Sequence, residues 1–552
     1  MSGSKKIKPN AGKGPGKSLP GSLFNRYWMA LALVVLTFVV YGNSLQNQFV
    51  FDDHFLIVNN SALGNWSDLG KVFISNYQPG QNIDVSTNYY RPIVMLSLGI
   101  DKMVWGLRPF GFHLTNILLM ALLAVSINAL LLDLFAEEKI SLLAVLLYLV
   151  NPIHTESVSF ISGRTDLLAT LMMVAALLFY VRWRETGKQT VLMLSLAAWL
   201  AALGSKESAL VFPVILLGME LITGKNGEAR IRRREYLYYL AVLAIFLIAR
   251  YLVLRHNSYW REDVIDVSSV GTVFQKNWRY LKLILWPSRL STYYTDVFKA
   301  GLSGWISSLL LLTVPAILIY LSRKREGMII AFSGVLFLWG SLPAMGLVRN
   351  SSGVEFGERF VFFSSLGIAL LMAWAFVRLT EGTRQGAWKY GAIALLAIYG
   401  SFLGYKTVRQ NRVWVNDQTL FKEMARTSPQ SYLAQYNLAN EYAKRRQADS
   451  AVVHYQKAIE IKPTNIDAIN NLGVLFFMMG KYALAEGEYR KAVVLNPRSP
   501  VVYYNIGLCY QQRGLAQDAS HWYRLALEKD PFFRPAGSAL ELIENDDTKG
   551  KK

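Results

Sequence analysis

The chain has 552 residues, of which 53% are hydrophobic, 13% aromatic and only 17% charged. Soluble domains carry about 25% charged residues, so this composition excludes an ordinary soluble enzyme and points to an integral membrane protein. The net charge of +20 falls in short Lys/Arg runs between apolar segments, a pattern that orients a chain in a bilayer rather than one that grips nucleic acid.

In chain order, residues 1–20 hold Lys5, Lys6, Lys8, Lys13 and Lys17, no acid, and many Gly, Pro and Ser. Residues 1–25 are therefore expected to form a disordered basic tail on the cytoplasmic side. The apolar run from Tyr27 to Tyr41 lacks a clear small-x-small cleavage site and reads as an uncleaved first helix. Runs of spanning character follow to about residue 405. They predict eleven spans, near 26–46, 113–134, 140–152, 166–182, 190–204, 208–222, 236–254, 302–322, 328–347, 359–378 and 389–405. Segments 92–107 and 272–287 read as interfacial. With the N-terminus inside, the inner loops are "EEK", "RWRETGK", "GKNGEARIRRRE", "RKREG" and "RLTEGTRQGAWK", four of the five clearly basic. The odd span count places the first long loop and the C-terminal region together on the outer face.

That first outer loop, 47–91, opens with "NQFVFDDHF", so Asp52, Asp53 and His54 sit at a membrane edge, where an acid pair needs a cation, a proton or water. "SALGNWSDLGKVF" has apolar residues near helical spacing and predicts a helix lying flat on the bilayer, as a roof over a cavity or as a packing lid. Further ionisable groups fall at outer span ends. They are Arg91; His154, Glu156, Arg164 and Asp166 in "NPIHTESVSFISGRTDLLA"; Lys206 and Glu207 in "LGSKESALVFP"; and Glu358 and Arg359 in "FGERFVFFSSLG". Each could be an internal ion pair, but several clusters on one face predict a polar cavity. Cations there suit a lipid phosphate, with Arg164, Lys206 and Arg359 as the expected phosphate-binding residues. An Asp beside an attacking hydroxyl suits a general base. A single displacement at an anomeric carbon needs one base and inverts configuration. A divalent cation, Mg²⁺ or Mn²⁺, on Asp52 and Asp53 is the open alternative; no other cofactor is expected.

From about residue 430 a new period begins. Asn437, Asn471 and Asn505 are 34 residues apart, as are Tyr455, Tyr489 and Tyr523; Ala458, Ala492 and Ala526; and Pro429, Pro463, Pro497 and Pro531. This is the tetratricopeptide period, and it predicts three helix–turn–helix repeats, 430–463, 464–497 and 498–531. A helical connector over 409–429 precedes them, and a cap with a charged tail over 532–552 follows. Such repeats present a concave surface to a peptide or protein, or they cap the membrane part. The lone cysteine, Cys509, lies in a repeat helix as a small core residue, which excludes an intramolecular disulfide and a cysteine metal site. The fold class read from these patterns is an all-α membrane domain over 26–408 followed by an α-solenoid.

"YRPIVMLSLGIDKMVWGLRPFGFHLTNILLMALL", "NPIHTESVSFISGRTDLLA", "LGSKESALVFP", "ARYLVLR", "LWPSRLSTYY", "ERFVFFSSLG" and "RVWVNDQTLFKEMARTSP" occur in that order and cover about residues 26 to 531. They resemble segments of the transmembrane-and-tetratricopeptide protein O-mannosyltransferases. The resemblance implies a GT-C glycosyltransferase fold, a polyprenyl-phosphate-sugar donor with mannose as the expected sugar, and a Ser or Thr hydroxyl as acceptor. It also implies that one of Asp52 and Asp53 is the base, without settling which. Three repeats and a short lysine tail set the sequence apart from eukaryotic members. The expected setting is a bacterial inner membrane with the first outer loop and the repeats periplasmic; in a eukaryote the equivalent side is the endoplasmic reticulum lumen. Expected partners are the bilayer, the lipid-linked sugar and an acceptor protein held by the repeats, and no nucleic acid. Two other readings stand beside this one: the same fold acting on a lipid or envelope glycan, and a non-enzymatic scaffold presenting the repeats.

Overall fold

A computed structural model describes residues 20–74, 89–223, 233–255, 271–295, 298–299, 301–322, 325–345, 356–381 and 386–549, and most of the basic tail lies outside them. Among the described residues all regular structure is helical. The membrane part comprises α1 (Pro20–Tyr41), α2 (Pro92–Trp105), α3 (Pro109–Phe135), α4 (Glu138–Leu149), α5 (Thr155–Ser159), α6 (Arg164–Thr186) and α7 (Gln189–Leu203). It continues with α8 (Phe212–Thr223), α9 (Arg233–Leu254), α10 (Val273–Leu285), α11 (Leu302–Leu321), α12 (Arg325–Gly334), α13 (Ser365–Glu381) and α14 (Ala387–Asn411).

At 1.5 Å per residue a helix needs about 20 apolar residues to cross a bilayer. Among the described residues six helical stretches qualify: Arg26–Gln46, Pro109–Phe135, Ile161–Thr186, Arg234–Leu254, Leu302–Tyr320 and Trp388–Trp414. A seventh is the pair Glu138–Leu149 and Pro152–Ser159, bent by 59°. The bend falls at Asn151-Pro152, where Pro152 cannot donate a hydrogen bond and the Asn151 side chain caps the Ile153 N–H. The other four expected spans are helical but short: α7 has 15 residues, α8 12, α13 17, and α12 10 before a π turn at Val335–Trp339. Apolar runs of that length also serve helix–helix packing, so run counting alone does not separate crossings from core helices.

α6 is the centre of the bundle. Leu167, Leu171, Val174, Leu177 and Trp183 on it are all buried. Residues 224–232, 323–324 and 382–385 of the loops expected on the inner face lie outside the described residues, and the described ends of those loops meet at one end of the bundle. Arg182 pairs with Asp133 (2.9 Å), Arg184 Nη1 donates to Thr223 (3.0 Å), Lys139 pairs with Glu381 (2.8 Å), and Arg378 meets Glu137 (3.1 Å) and Glu326 (3.5 Å). The polar clusters of the expected outer face lie at the other end, with the repeats.

α15 (Asp417–Thr427) starts with a capping box between Asn416 and Thr419. Three antiparallel pairs follow: α16 (Tyr432–Lys444) with α17 (Ala448–Ile461), α18 (Ile466–Met478) with α19 (Tyr482–Leu495), and α20 (Pro500–Gln512) with α21 (Ala516–Lys529). α22 (Arg534–Lys549) closes the stack. Gly473 faces the Tyr489 ring and Gly507 the Tyr523 ring so closely that a Cβ would sit 2.6 and 2.5 Å from ring carbons. These contacts explain why the glycine and tyrosine columns share one period. The turns are left-handed at Gly480 and Gly514 (φ +74° and +77°), but the equivalent residue of the first repeat is Arg446, at φ +59°. A left-handed non-glycine residue costs about 1–2 kcal/mol, and glycine's extra unfolded-state freedom returns about 0.5–1. Arg446→Gly is therefore expected to raise stability by about 0.5–1 kcal/mol, read as a higher denaturant midpoint of the repeats.

The repeats join the membrane part through an apolar seam in which Val50, Phe160, Trp414, Phe421, Met424 and Leu438 are buried together. Phe160 stacks on Trp414 with ring centres 4.9 Å apart.

Candidate functional site

The acid pair sits on a tight turn that runs into a short helix. Asp53 N–H donates to Val50 O (3.0 Å) and His54 N–H to Phe51 O (3.2 Å), while Phe51 takes a left-handed φ of +50°. This turn sends the two carboxylates in different directions. Asp53 is fully buried. Its Oδ1 accepts from the Ser162 N–H (2.9 Å) and the Ser162 hydroxyl (2.5 Å), and its Oδ2 from the Val50 N–H (3.1 Å). Burial pushes Asp53 up to about 7 against the pull of those three hydrogen bonds. Asp52 stays partly exposed and accepts no hydrogen bond among the described residues. Desolvation raises its carboxyl above the ordinary value, and the charges of Arg359 and then Arg91 oppose that rise.

Three ion pairs form a cluster here, and two of their cations, Arg359 and Arg91, act on Asp52. Arg91, just before α2, forks onto Glu207 Oε2 through Nε (3.1 Å) and Nη2 (2.8 Å) and lies over the Tyr89 ring. Lys206, in the bend between α7 and α8, meets Asp166 in the first turn of α6 at 2.5 Å. Arg359, in the turn before α13, meets Glu156 of α5 at 3.5 Å. Lys206 and Arg359 share the Phe360 ring, 5.4 and 5.6 Å from its centre. Each of these cations thus meets a carboxylate other than Asp52, which accepts no hydrogen bond among the described residues. Burial pushes Lys206 below its ordinary value; Asp166 opposes this, and Arg359 and Arg91 add to it. Arg359 has the longest ion pair and the most open side chain, 29% exposed against 11% for Lys206 and 12% for Arg91. α5 and α6 can meet here because Gly163 lacks a side chain: a Cβ would fall 2.2 Å from Glu156 O.

Four of the expected residues lie elsewhere. Arg164 is wholly buried and committed to other partners. It pairs with Asp101 (2.6 Å) and donates to Asn116 Oδ1 (2.6 Å), Ser97 Oγ (3.0 Å) and Phe112 O (2.8 Å). It has no exposure, and its Nε, Nη1 and Nη2 are engaged there rather than with the Lys206 and Arg359 pairs. His154 is buried against Tyr148 and Phe362, with Nε2 on Ser365 Oγ at 2.9 Å. Glu358 faces away from the cluster, accepting from the Tyr294 hydroxyl (2.7 Å) and the Ser291 N–H (2.9 Å). His54 turns to the connector, with Nε2 2.8 Å from Asp417 Oδ2.

The roofing segment also differs from expectation. It forms 3-10 turns at Ser61–Leu63 and Trp66–Phe73 rather than an α-helix. Leu63, Leu69 and Val72 are buried, with Leu63 and Leu69 reaching Gly99 of α2, while Trp66 and Phe73 remain exposed. A Cβ at Gly99 would lie 2.4 Å from Leu69, so glycine there lets the segment dock on protein. Asp101, Ser162 and Asp417 are the partners that sequence reasoning missed. Asp101 lies within 92–107, the segment that reads as interfacial; nothing local marks the other two.

A divalent cation on the acid pair finds little support in the residues present. Among the described residues no group of three or more His, Cys, Asp or Glu is arranged to hold a metal ion. Both Asp53 oxygens are taken by N–H and O–H donors, which a cation would have to displace.

Comparison with known proteins bears on the same region. Residues 97–253 match the dolichyl-phosphate-mannose-protein mannosyltransferase family, and residues 439–480 and 501–533 match tetratricopeptide repeat families. The chain is 25% identical over 507 residues to human protein O-mannosyl-transferase TMTC1, covering 79% of this chain and 55% of that protein. It is 25% identical over 590 residues to Drosophila melanogaster protein O-mannosyl-transferase Tmtc3, covering 90% and 63%. The chain therefore spans little more than half of the curated relatives it matches. Among solved structures it is similar to the first tetratricopeptide domain of human RPAP3 (25% identity, TM-score 0.21, 22% of this chain and 98% of that one). Another is MamA from Desulfovibrio magneticus (20% identity, TM-score 0.23, 24% and 76%).

Proposed function

We propose that this chain, which joins a protein-mannosyltransferase sequence to tetratricopeptide repeats in a multi-pass membrane protein, transfers one mannose from a polyprenyl phosphate to a Ser or Thr hydroxyl of a protein. The observation that carries the reading is Asp52: a partly open carboxylate that accepts no hydrogen bond among the described residues, under the charges of Arg359 and Arg91, which are paired with Glu156 and Glu207. Asp52 accepts the proton of the attacking hydroxyl as its oxygen bonds to the anomeric carbon. The bond from that carbon to the phosphate oxygen breaks, and the polyprenyl phosphate leaves carrying the electron pair. A single displacement of this kind inverts the anomeric centre. Asp53 holds the turn and does not react. Arg359 and Lys206 take the leaving phosphate's charge, with Arg359 in the lead because its own ion pair is long and open.

The proposed topology keeps the eleven crossings, the shorter helices thinning the bilayer locally and extended by their flanking turns, and an inner end at the Arg182, Lys139 and Arg378 ion pairs. The Asp52 end and the repeats then face the periplasm, or the endoplasmic reticulum lumen in a eukaryote.

Charge-assisted hydrogen bonds to a phosphate contribute about 1.5–3 kcal/mol. Arg359→Ala is therefore expected to raise the KM for polyprenyl-phosphate mannose roughly 10- to 150-fold. Steady-state transfer from radiolabelled donor to a Ser/Thr peptide mixture measures it. Unchanged kcat and donor KM together reject the phosphate role.

A further inference from the structure

The acid pair is held from a distance by one residue of the connector. Asp417 is the first residue of α15, more than 360 positions along the chain from Asp52. Its Oδ1 accepts the Phe51 N–H at 2.9 Å, and its Oδ2 lies 2.8 Å from His54 Nε2. One carboxylate thus grips the residue before Asp52 and the second residue after it. The grip sits where the backbone needs support, because Phe51 is bulky and its φ is +50°. Left-handed backbone at such a residue is disfavoured and persists only where the surroundings hold it. Two neighbouring contacts add to that support. The Gln48 N–H donates to Val415 O (2.8 Å), and the Phe51 ring meets the Phe421 ring edge-on at 6.0 Å. α15 in turn leads directly into the first repeat.

We propose that Asp417 is a positioning residue for the transfer reaction, latching the Phe51 turn so that the unpartnered Asp52 carboxylate stays aimed at the Arg359 and Arg91 side of the cluster. The proposal rests on the reading of Asp52 as base. The charged groups acting on His54 are Asp417, Asp53 and Lys444, the last at the end of α16. The hydrogen bond that His54 donates to Asp417 and the two acids' charges raise His54 above its ordinary value, against burial and Lys444. Burial pushes Asp417 up, but the bonds from His54 and Phe51 and the charges of His54 and Lys444 outweigh it and hold the carboxyl low. The ion-paired latch is therefore complete at and below the ordinary histidine value. It weakens as pH rises through the raised His54 value.

The test uses the full chain in lipid nanodiscs, with dolichyl-phosphate mannose as donor and a Ser/Thr peptide mixture as acceptor. A misplacement of about 1 Å costs about 10²-fold, so Asp417→Ala is expected to lower kcat about 100-fold and leave the donor KM within about twofold. Asp417→Asn keeps an oxygen for the Phe51 N–H and is expected to lose about 10-fold or less. His54→Gln is expected to remove the loss of kcat on the alkaline side. Hydrogen exchange at the Phe51 amide reads the latch without reference to activity: Asp417→Ala should exchange faster and Asp417→Asn close to wild type. Unchanged exchange and kcat in Asp417→Ala overturn the proposal, as does a loss seen only in thermal stability. If Asp417→Ala fails to fold, the Asp417→Asn exchange and the His54→Gln pH profile decide. Should Asp52→Asn keep full turnover while Asp417→Ala exchanges faster, the base reading falls and the latch stands as a structural contact only.

Discussion

Asp52→Asn is expected to lower kcat by about 10²–10⁴-fold, the usual contribution of a positioned general base. The same variant should fold and melt like wild type. The reason is local: the Asp52 carboxylate accepts no hydrogen bond among the described residues and stays partly exposed, so the amide strands no donor. Asp53 gives the opposite pattern. Asp53→Ala strands the Ser162 N–H, the Ser162 hydroxyl and the Val50 N–H in the interior, at about 1–3 kcal/mol for each buried group left unpaired, so its loss of activity should follow its loss of folded protein. Measuring kcat per folded molecule separates the two. The pH profile adds a sign. Burial raises the Asp52 carboxyl above its ordinary value despite Arg359 and Arg91, and only the ionised form accepts a proton. The rate should therefore fall as pH drops through a value higher than that of a free aspartate. In Asp52→Asn the residual rate should show no such acid limb. Equal turnover in Asp52→Asn and wild type rejects Asp52 as the base.

The sequence made the acid pair conspicuous but could not divide the labour within it. That division depends on Ser162 and the Val50 N–H, contacts set by how α5 and the start of α6 meet the acid-pair turn. Adjacent positions in a chain share composition and charge; only tertiary contact tells which of them is saturated. The repeats were easier to read because each packs on its neighbour through the same positions. A tyrosine over a glycine recurs as a column, and the exception, Arg446, appears only when φ is known. The membrane helices carried a blurred signal. An apolar run of 12 or 15 residues looks alike whether its far side meets lipid or the helices around α6. Asp417 had no local signature at all: an acid opening a helix reads as an ordinary charge at a helix N-terminus, and its two partners lie at the other end of the sequence.

Arg164 shows the same limit with the largest consequence for stability. In sequence it and Lys206 are alike, cations at the outer ends of apolar runs, and both suit a phosphate. In the fold Arg164 has no exposure, and its guanidinium engages Asp101, Asn116, Ser97 and the Phe112 carbonyl. Asp101 is itself 5% exposed, and it also accepts from the Thr115 hydroxyl at 2.8 Å, a bond that remains when Arg164 goes. Arg164→Leu leaves that carboxylate uncompensated in the interior and should cost about 3–5 kcal/mol, seen as a large fall in melting temperature in detergent. Arg164→Lys should recover little, because an ammonium cannot fork to four partners fixed around a planar group. Arg164→Leu combined with Asp101→Leu removes both charges and should recover a substantial part of the loss, a coupling that a double-mutant cycle measures directly. The double variant also decides between the two roles a buried arginine could have here. A phosphate ligand would take donor affinity with it even after stability is restored. The closed hydrogen-bond set of Arg164 predicts instead that the restored protein keeps its donor KM within about twofold of wild type, the range left by loss of a group that does not touch the donor.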